Sequence, residues 1–404
     1  MLGGCSDDTP DKPTDEENYV EKPLALDKGI YLLNGGNGAD GPGGLTRINE
    51  DGSVTTRLFE DVNGHPIGKR VRCMAAYGDD IYFLCSTFKS IGFAEDTILV
   101  VADAKTLKEK RAYKFKDLSF DMPEGTKPED EPFPSDPESI YVLDEANIFI
   151  KDEQALIRFD SQANKAYLME GSYHIANYGA TLEPLVLSKA IRHNGKLYYA
   201  MGGFWHKQPG LVEVKRNTTA LGREVTFSAP GEYVPGGIVA DADGNFWLSV
   251  FWTRRPKVGY LIKVDPKEMK ELESVTVNEF ISPGYDPTHG ISIDGDYIYL
   301  MGVQSLNTEF YYERSGVIRR FNLKTKRLEK AGDVFKDVPE VQFIGCNPIV
   351  DSRTHLLYIP GQTGNGKNGP DDNYLLIYDC SGAKPVLKEK IQGKTSNIRY
   401  IFIN

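Results

Sequence analysis

The stretch Gly195-Lys196-Leu197-Tyr198-Tyr199 places a polar turn before a short apolar run that is centred on an aromatic residue. The same motif occurs seven times along the chain, at spacings of 49 to 67 residues. Turn residues followed by β-branched and aromatic residues are typical of a strand that begins at a tight turn. The aromatic anchors of the seven copies are Tyr31, Tyr82, Phe149, Tyr198, Trp247, Tyr299 and Tyr358.

A second motif follows each copy of the first. It is an alternating strand that ends near a polar residue, as in Gly259-Tyr260-Leu261-Ile262-Lys263-Val264-Asp265. Each unit therefore predicts four short strands joined by a tight turn, a long loop and a second tight turn. This is the blade of a β-propeller. No segment of ten or more residues keeps a 3.6-residue apolar period, so a helical repeat is excluded. A β-sandwich would need similar strands but would not require sevenfold repetition, so the repetition favours the propeller.

We therefore predict an all-β chain whose residues 27–404 form a single seven-bladed β-propeller, with six or eight blades as the alternative counts. The chain ends on a further strand-like segment, Asn397-Ile398-Arg399-Tyr400-Ile401-Phe402-Ile403. In a closed ring this segment pairs with the first blade and removes an exposed sheet edge.

The net charge of −11 over 404 residues argues against nucleic acid or an anionic membrane surface as a partner, because both require a basic surface. The longest apolar runs fall short of the roughly 18 residues that a membrane-spanning helix needs. We expect a monomer that binds a small molecule.

The first residues, Met1-Leu2-Gly3-Gly4-Cys5-Ser6-Asp7-Asp8, resemble a bacterial lipobox followed by an acidic export signal. We predict that Cys5 is lipidated and that residues 1–26 form a lipobox and a flexible acidic tether. Only four residues precede Cys5, so the charged and apolar parts of a signal peptide are missing. The alternative is a chance cysteine in a polar tail.

The other four cysteines show neither a CxxC pair nor zinc-site spacing, and no metal site is predicted. Cys73 and Cys85 flank a predicted hairpin turn at Gly78-Asp79. One hypothesis is a disulfide between them. The favoured hypothesis is that both are buried free thiols.

The repeats resemble the YVTN-type seven-bladed propellers. With the lipobox and the opening Gly29-Ile30-Tyr31-Leu32-Leu33-Asn34-Gly35-Gly36-Asn37, the chain is similar to surface propeller lipoproteins of Bacteroidetes. That group includes proteins that capture cobalamin beside an outer-membrane TonB-dependent transporter. The resemblance implies a lipid-anchored protein on the cell surface, a corrinoid as ligand rather than as cofactor, and a transporter as partner. Siderophores, haem and glycans remain alternative cargoes.

The long loops of the predicted propeller carry aromatic and basic residues, and Trp205 and Trp252 fall at equivalent places in adjacent blades. Aromatic side chains make platforms for bulky ligands, while arginine and amide groups add directional hydrogen bonds. The alternative is that these aromatics pack between blades. The predicted ligand-binding residues are Phe88, Phe204, Trp205, His206, Phe251, Trp252, Arg254, Arg255, His289, Gln304, Tyr311, Tyr312, Asn347 and Gln362.

His289 is singled out because a neutral imidazole can ligate a metal centre in a ligand, although a hydrogen-bonded structural histidine is the more common case. No catalytic residue is predicted, since Gly-x-Ser-x-Gly, HExxH and P-loop motifs are absent from the sequence. Propeller hydrolases, lactonases and lyases assemble their sites from distant loops, often around a metal in the channel. An enzyme and a protein-interaction scaffold therefore remain alternatives. The acidic, proline-rich insertion at residues 117–137 is expected to be a surface loop.

Overall fold

The computed structural model describes the chain in sixteen stretches. They are residues 20–35, 43–86, 96–118, 136–152, 155–175, 182–184, 187–202, 208–229, 233–252, 259–277, 290–301, 303–305, 312–344, 348–363, 372–395 and 397–404.

Seven antiparallel sheets form the blades of a ring, as the repeats predict. Blade 1 contains β1 (Ile30–Asn34), β2 (Gly44–Ile48) and β3 (Val54–Thr55). Blade 2 contains β4 (Val71–Tyr77), β5 (Asp80–Cys85), β6 (Thr97–Asp103) and β7 (Glu109–Lys114). Blade 3 contains β8 (Pro137–Asp144), β9 (Asn147–Asp152), β10 (Leu156–Asp160) and β11 (Lys165–Leu168).

A two-stranded ribbon of β12 (Tyr173–Ile175) and β13 (Leu182–Pro184) precedes blade 4. Blade 4 contains β14 (Leu187–His193), β15 (Lys196–Met201), β16 (Gly210–Val214) and β17 (Glu224–Thr226). Blade 5 contains β18 (Tyr233–Ala240), β19 (Phe246–Trp252), β20 (Gly259–Asp265) and β21 (Lys270–Val277).

Blade 6 starts with β22 (Ile291–Asp294) and β23 (Tyr297–Leu300). A second ribbon of β24 (Val303–Ser305) and β25 (Tyr312–Arg314) follows, and β26 (Val317–Asn322) and β27 (Arg327–Asp333) complete the blade. Blade 7 contains β28 (Phe343–Ile344), β29 (Ile349–Asp351), β30 (Leu356–Gln362), β31 (Asn373–Asp379) and β32 (Val386–Gln392). The last strand is β33 (Ile398–Ile403).

Within the described stretches, three short helices lie outside the blades. They are α1 (Leu58–Asn63), α2 (Val334–Asp337) and a 3-10 helix over Phe115–Leu118. Among the described residues, the structure contains no helix with the length and apolar character to cross a membrane.

The ring closes through β33, which pairs with β1 and is the innermost strand of blade 1. Ile30 lies opposite Ile403, and Leu32 lies opposite Ile401. The predicted closure by the C-terminal segment is therefore confirmed.

The core is divided among the interfaces between blades, because successive side chains of a strand point to opposite faces of its sheet. In β1, Tyr31 and Leu33 pack against blade 2, whereas Ile30 and Leu32 pack against blade 7. The described residues form seven such hydrophobic clusters, one at each interface of the ring. All seven aromatic anchors are buried within this core.

Cys73, Cys85 and Cys380 are buried free thiols. The prediction that Cys73 and Cys85 are buried free thiols is confirmed, and the alternative of a disulfide between them is wrong. The reason is the strand register, which pairs Cys73 with Leu84 and Cys85 with Val71. Cys73 consequently packs toward blade 3, while Cys85 packs toward blade 1.

Candidate functional site

The propeller has two unlike faces. Hairpin turns such as residues 78–79 and 145–146 lie on one face, which we call the tight-turn face. The second strand of each blade ends, and the third begins, at the other face, which we call the loop face. The innermost strands run from the loop face to the tight-turn face and enclose the central channel.

The tight-turn end of the channel is crossed by an N-terminal segment, residues 20–27. Lys22 Nζ donates to Glu145 Oε1 of blade 3 at 2.8 Å. Glu21 pairs with Arg192, which is near the end of the innermost strand of blade 4. These two ion pairs connect the segment to blades 3 and 4.

Hydrogen bonds that involve the backbone of the same segment connect it to blades 1 and 2. The Ala25 N–H donates to the Gly78 carbonyl at 2.9 Å. Asn404 Nδ2 donates to the Leu26 carbonyl at 2.6 Å, and the Leu26 side chain is buried against blades 1 and 2. The N-terminal segment therefore lies across the side of the channel end that blades 1 to 4 form.

A cavity of about 410 Å³ lies beside the N-terminal segment, against the innermost strands of blades 1 to 4. Its wall includes Met74, Tyr141 and Tyr400. The Tyr141 hydroxyl accepts from the Ala190 N–H at 2.9 Å. Burial raises the pKa of Tyr141 to about 12, so this phenol is neutral throughout the physiological range.

A second cavity, of about 370 Å³, lies on the opposite side of the channel, against the innermost strands of blades 4 to 7 and of blade 1. Its wall is mostly isoleucine and valine, with the basic residues Lys189 and Arg399. The described residues that line it include no Asp or Glu. We call it the basic cavity.

Four buried or half-buried amides lie at the loop-facing ends of the blade 7 and blade 1 strands, and we call them the amide cluster. Gln362 Nε2 donates to Asn373 Oδ1 at 3.0 Å, and the Asn397 backbone N–H donates to the same oxygen at 2.9 Å. Asn34 Nδ2 donates to Thr46 Oγ1 at 2.9 Å. The side-chain oxygen of Asn34 is buried without a hydrogen-bond partner, so it is available to a donor.

Arg399 connects the amide cluster to the basic cavity. Gln362 Nε2 also donates to Asn397 Oδ1 at 3.3 Å. The other end of the Asn397 side-chain amide lies 3.0 Å from Arg399 Nη2 and 3.3 Å from Arg399 Nε. Asn397 adopts a left-handed backbone conformation with φ of 47°, which asparagine tolerates better than most residues.

Gln362 is the predicted site residue whose side chain the structure describes, and it belongs to the amide cluster. Phe251 and Trp252 end β19 at the loop face, and Gln304 and Tyr312 lie in the β24–β25 ribbon, with only the backbone described. The remaining predictions lie outside the described residues. They are Cys5, Phe88, Phe204, Trp205, His206, Arg254, Arg255, His289, Tyr311 and Asn347.

Sequence reasoning missed Lys189, Arg399 and three members of the amide cluster, namely Asn34, Asn373 and Asn397. Each lies at or near the end of a strand rather than in a long loop. The available signal was a polar residue at the edge of an apolar strand, which also occurs on the outer strands of every blade.

Within the described stretches, no three His, Cys, Asp or Glu side chains are grouped so that they could hold a metal ion.

Residues 28–397 match the family described as Domain of unknown function (DUF5074). No curated protein matches the chain significantly. The family match covers nearly the whole ring.

Solved structures to which the chain is similar differ widely in their descriptions. A protein of Bacteroides uniformis with a provisional description as a 6-phosphogluconolactonase is 11% identical, with a TM-score of 0.55 over 94% of this chain and 100% of its own. The extracellular domain of a provisionally described one-component system from B. thetaiotaomicron is 10% identical, with a TM-score of 0.45 over 92% of this chain and 48% of its own. An oligogalacturonate lyase in complex with manganese is 16% identical, with a TM-score of 0.44 over 92% and 89%. At 11% identity, the likeness to the Bacteroides uniformis protein supports the propeller fold alone.

Proposed function

We propose that this chain, which belongs to the DUF5074 family, is a non-enzymatic capture protein that binds a bulky small-molecule nutrient on its loop face. It acts as a monomer that is lipid-anchored at Cys5 on the outer cell surface, and it passes the nutrient to a TonB-dependent transporter in the outer membrane. Cobalamin is the first candidate cargo, on the resemblance to cobalamin-capturing propeller lipoproteins. A siderophore, haem or a glycan is the alternative.

The observation that carries this proposal is the N-terminal segment across the tight-turn end of the channel. Lys22 is hydrogen bonded to Glu145, and Ala25 to Gly78, so the segment is held against that face. A ligand that reaches the innermost strands then approaches from the loop face. Of the predicted aromatic platforms, Phe251 and Trp252 end β19 at that same face.

The same segment supports the orientation that capture requires. Residue 20 lies on the tight-turn face, so a tether that precedes it leaves from there. A propeller anchored through residues 1–19 therefore turns its loop face away from its own anchor, toward cargo and partner.

The test is a thermal-shift and calorimetric titration with cyanocobalamin, a ferric siderophore and haemin. A ligand at 100 times its Kd stabilises the native state by about 2.7 kcal/mol, which gives a measurable rise in Tm. We expect one cargo to give this rise, and Trp205→Ala and Trp252→Ala each to weaken its binding about tenfold or more. Val386→Ala, on the exposed outer strand of blade 7, is the control.

Binding of every cargo by both tryptophan variants as by the parent would remove the aromatic platform from the proposal. A stoichiometric divalent metal in the purified protein, together with turnover of a sugar lactone or uronide, would favour the enzyme alternative instead. Stable co-purification of a protein partner without any cargo binding would favour a scaffold.

A further inference from the structure

We propose that the cavity of about 410 Å³ beside the N-terminal segment binds a neutral aromatic molecule of one or two rings, and that residues 20–23 are its lid. We call this cavity the covered cavity. The inference goes beyond the proposed capture function, because the covered cavity lies at the tight-turn end of the channel, whereas the proposed cargo binds on the loop face.

The wall of the covered cavity is rich in aromatic side chains. Tyr77, Tyr141, Tyr400 and Phe402 line it together with Met74. Aromatic rings and a thioether make favourable edge and face contacts with another aromatic ring. A volume of about 410 Å³ is near the lower end for ligand pockets, so it suits one or two rings and is small for a corrinoid.

Small residues of β4 leave room for a ligand. Ala75, Ala76 and Gly78 line the covered cavity, and the two alanines are only half-buried. A larger side chain at either alanine would occupy volume that a ligand could otherwise fill. These positions therefore provide a direct test of the cavity.

The charges of the wall favour a neutral ligand. Within the described stretches, the charged residues that line the covered cavity are Glu21, Lys22 and Arg192. Glu21 pairs with Arg192, and Lys22 pairs with Glu145, so each charge already has an opposite partner. A charged ligand would lose hydration without gaining a counter-charge, whereas a neutral ring would lose little.

The contacts of residues 20–23 suit a lid. The side chains of Glu21 and Lys22 are 56% and 54% exposed, and exposed ion pairs are weak and are screened by salt. Leu26, by contrast, is buried in the core between blades 1 and 2, and the hydrogen bond from Ala25 to Gly78 lies beside it. The segment is therefore anchored from residue 24 onward, and residues 20–23 can open without disturbing the core.

The test of the site is isothermal titration calorimetry of the full chain with 2-naphthalenemethanol and two charged analogues, 2-naphthoate and 2-naphthylmethylammonium. We expect the alcohol to bind at least about tenfold more tightly than either ion. Ala76→Leu should weaken binding of the alcohol about tenfold or more, and Ala76→Val should weaken it less. Ala240→Leu is the matched control, because it makes the same change on an innermost strand in the wall of the basic cavity, and it should bind as the parent does.

The test of the lid is the association rate of the alcohol, followed by stopped-flow naphthalene fluorescence. The double variant Glu21→Gln/Lys22→Met removes both ion pairs and should raise this rate about threefold or more, as should added salt in the parent. The double variant Glu340→Gln/Lys390→Met is the control, because it removes an exposed ion pair on blade 7 and should leave the rate unchanged.

No binding of the alcohol, equal binding of its charged analogues, or parent affinity in Ala76→Leu would each overturn the binding site. An association rate that stays the same in Glu21→Gln/Lys22→Met would overturn the lid. If Tm shows that Ala76→Leu fails to fold, Ala76→Val provides the comparison. Loss of cargo binding in the Trp205 and Trp252 variants does not affect these results, so the two proposals fail separately.

Discussion

Gly29 and Asn404 are joined by two backbone hydrogen bonds. The Asn404 N–H donates to the Gly29 carbonyl at 3.1 Å, and the Gly29 N–H donates to the Asn404 carbonyl at 3.3 Å. They extend the β1–β33 ladder by one pair and place residues from both ends of the ring in one blade. The ring is therefore closed by pairing within blade 1.

Deletion of residues 398–404 should abolish cooperative folding or lower Tm by many degrees. The deletion exposes one edge of β1 and removes Ile398 and Ile401 from the core between blades 7 and 1. Each fully buried isoleucine contributes about 2 kcal/mol through burial alone, before the lost strand pairing is counted. Calorimetric unfolding measures the effect.

The control for this deletion is removal of residues 2–19, which precede the described segment. That truncation should leave the unfolding transition where it was. A protein without residues 398–404 that still unfolds in one sharp transition at the parent Tm would contradict the closure argument.

Glu213 is a fully buried carboxylate between two cations of blade 4, and its substitution should be costly. Lys196 lies 2.7 Å and Arg223 2.9 Å from its two oxygens. Burial by itself raises the pKa of Glu213, but the hydrogen bonds and charges of Arg223 and Lys196 outweigh burial and hold that pKa below its usual range. Glu213→Gln should lower the free energy of unfolding by about 3 kcal/mol, because it leaves the cations without their charge partner.

The matched control is Glu340→Gln, which breaks the solvent-screened pair with Lys390 and should change stability far less than Glu213→Gln does. Urea unfolding at pH 7 and at pH 4 separates the two variants. Because the folded pKa of Glu213 is depressed, its contribution is complete above the unfolded pKa and is lost as pH falls through the folded value. Equal effects of the two substitutions at pH 7 would contradict this assignment.

The sequence predicted the parts of the fold that repeat. The motif around Tyr198 recurs because the second strand of every blade is buried on both sides and starts at a tight turn. All seven copies of the motif are second strands in the structure. The innermost strands were not identified one by one. β4, for example, reads Val71-Arg72-Cys73-Met74-Ala75-Ala76-Tyr77, with small residues facing the channel that give no strong strand signal.

The candidate site was less predictable, because its residues are brought together by ring closure. Lys189 and Arg399 are 210 positions apart and line the same cavity only when blade 1 has been completed by β33. The contact of Lys22 with Glu145 has the same origin, since a polar, proline-containing segment gives no hint of the surface that it will cover.

The stability of the ring should depend on the protonation of His355. Its Nδ1 lies 2.9 Å from Asp294 Oδ2, which joins a turn of blade 7 to blade 6. The hydrogen bond to Asp294 and the charge of that carboxylate raise the pKa of His355 above 6.5. Stabilisation is then complete below the unfolded pKa and is lost as pH rises through the folded value. We expect Tm to fall between pH 6 and pH 8.

His355→Asn is the informative variant, because asparagine accepts the left-handed backbone of residue 355, with φ of 56°. It should flatten the pH dependence of Tm over this range without disrupting the turn. Asp294→Asn should flatten it similarly, and an imidazole titration by NMR gives the pKa directly. A His355 pKa at or below 6.5 in the folded parent would show that the ion pair does not form in solution.

The three described cysteines should be unreactive in the folded protein. Burial raises the pKa of Cys73 and of Cys85 to about 12, and that of Cys380 to about 11, so almost no thiolate is present at pH 8. In a Cys5→Ser/Cys346→Ser background, Ellman's reagent should react with less than about 0.1 thiol per chain before unfolding. After denaturation in guanidinium chloride without reductant, it should react with three thiols.

Recovery of only one thiol would mean that Cys73 and Cys85 are linked after all, and rapid reaction before denaturation would mean that the blade interfaces open. Because Cys73 and Cys85 pack into the two different interfaces that flank blade 2, the rate at which each becomes reactive in dilute denaturant reports which side of that blade separates first.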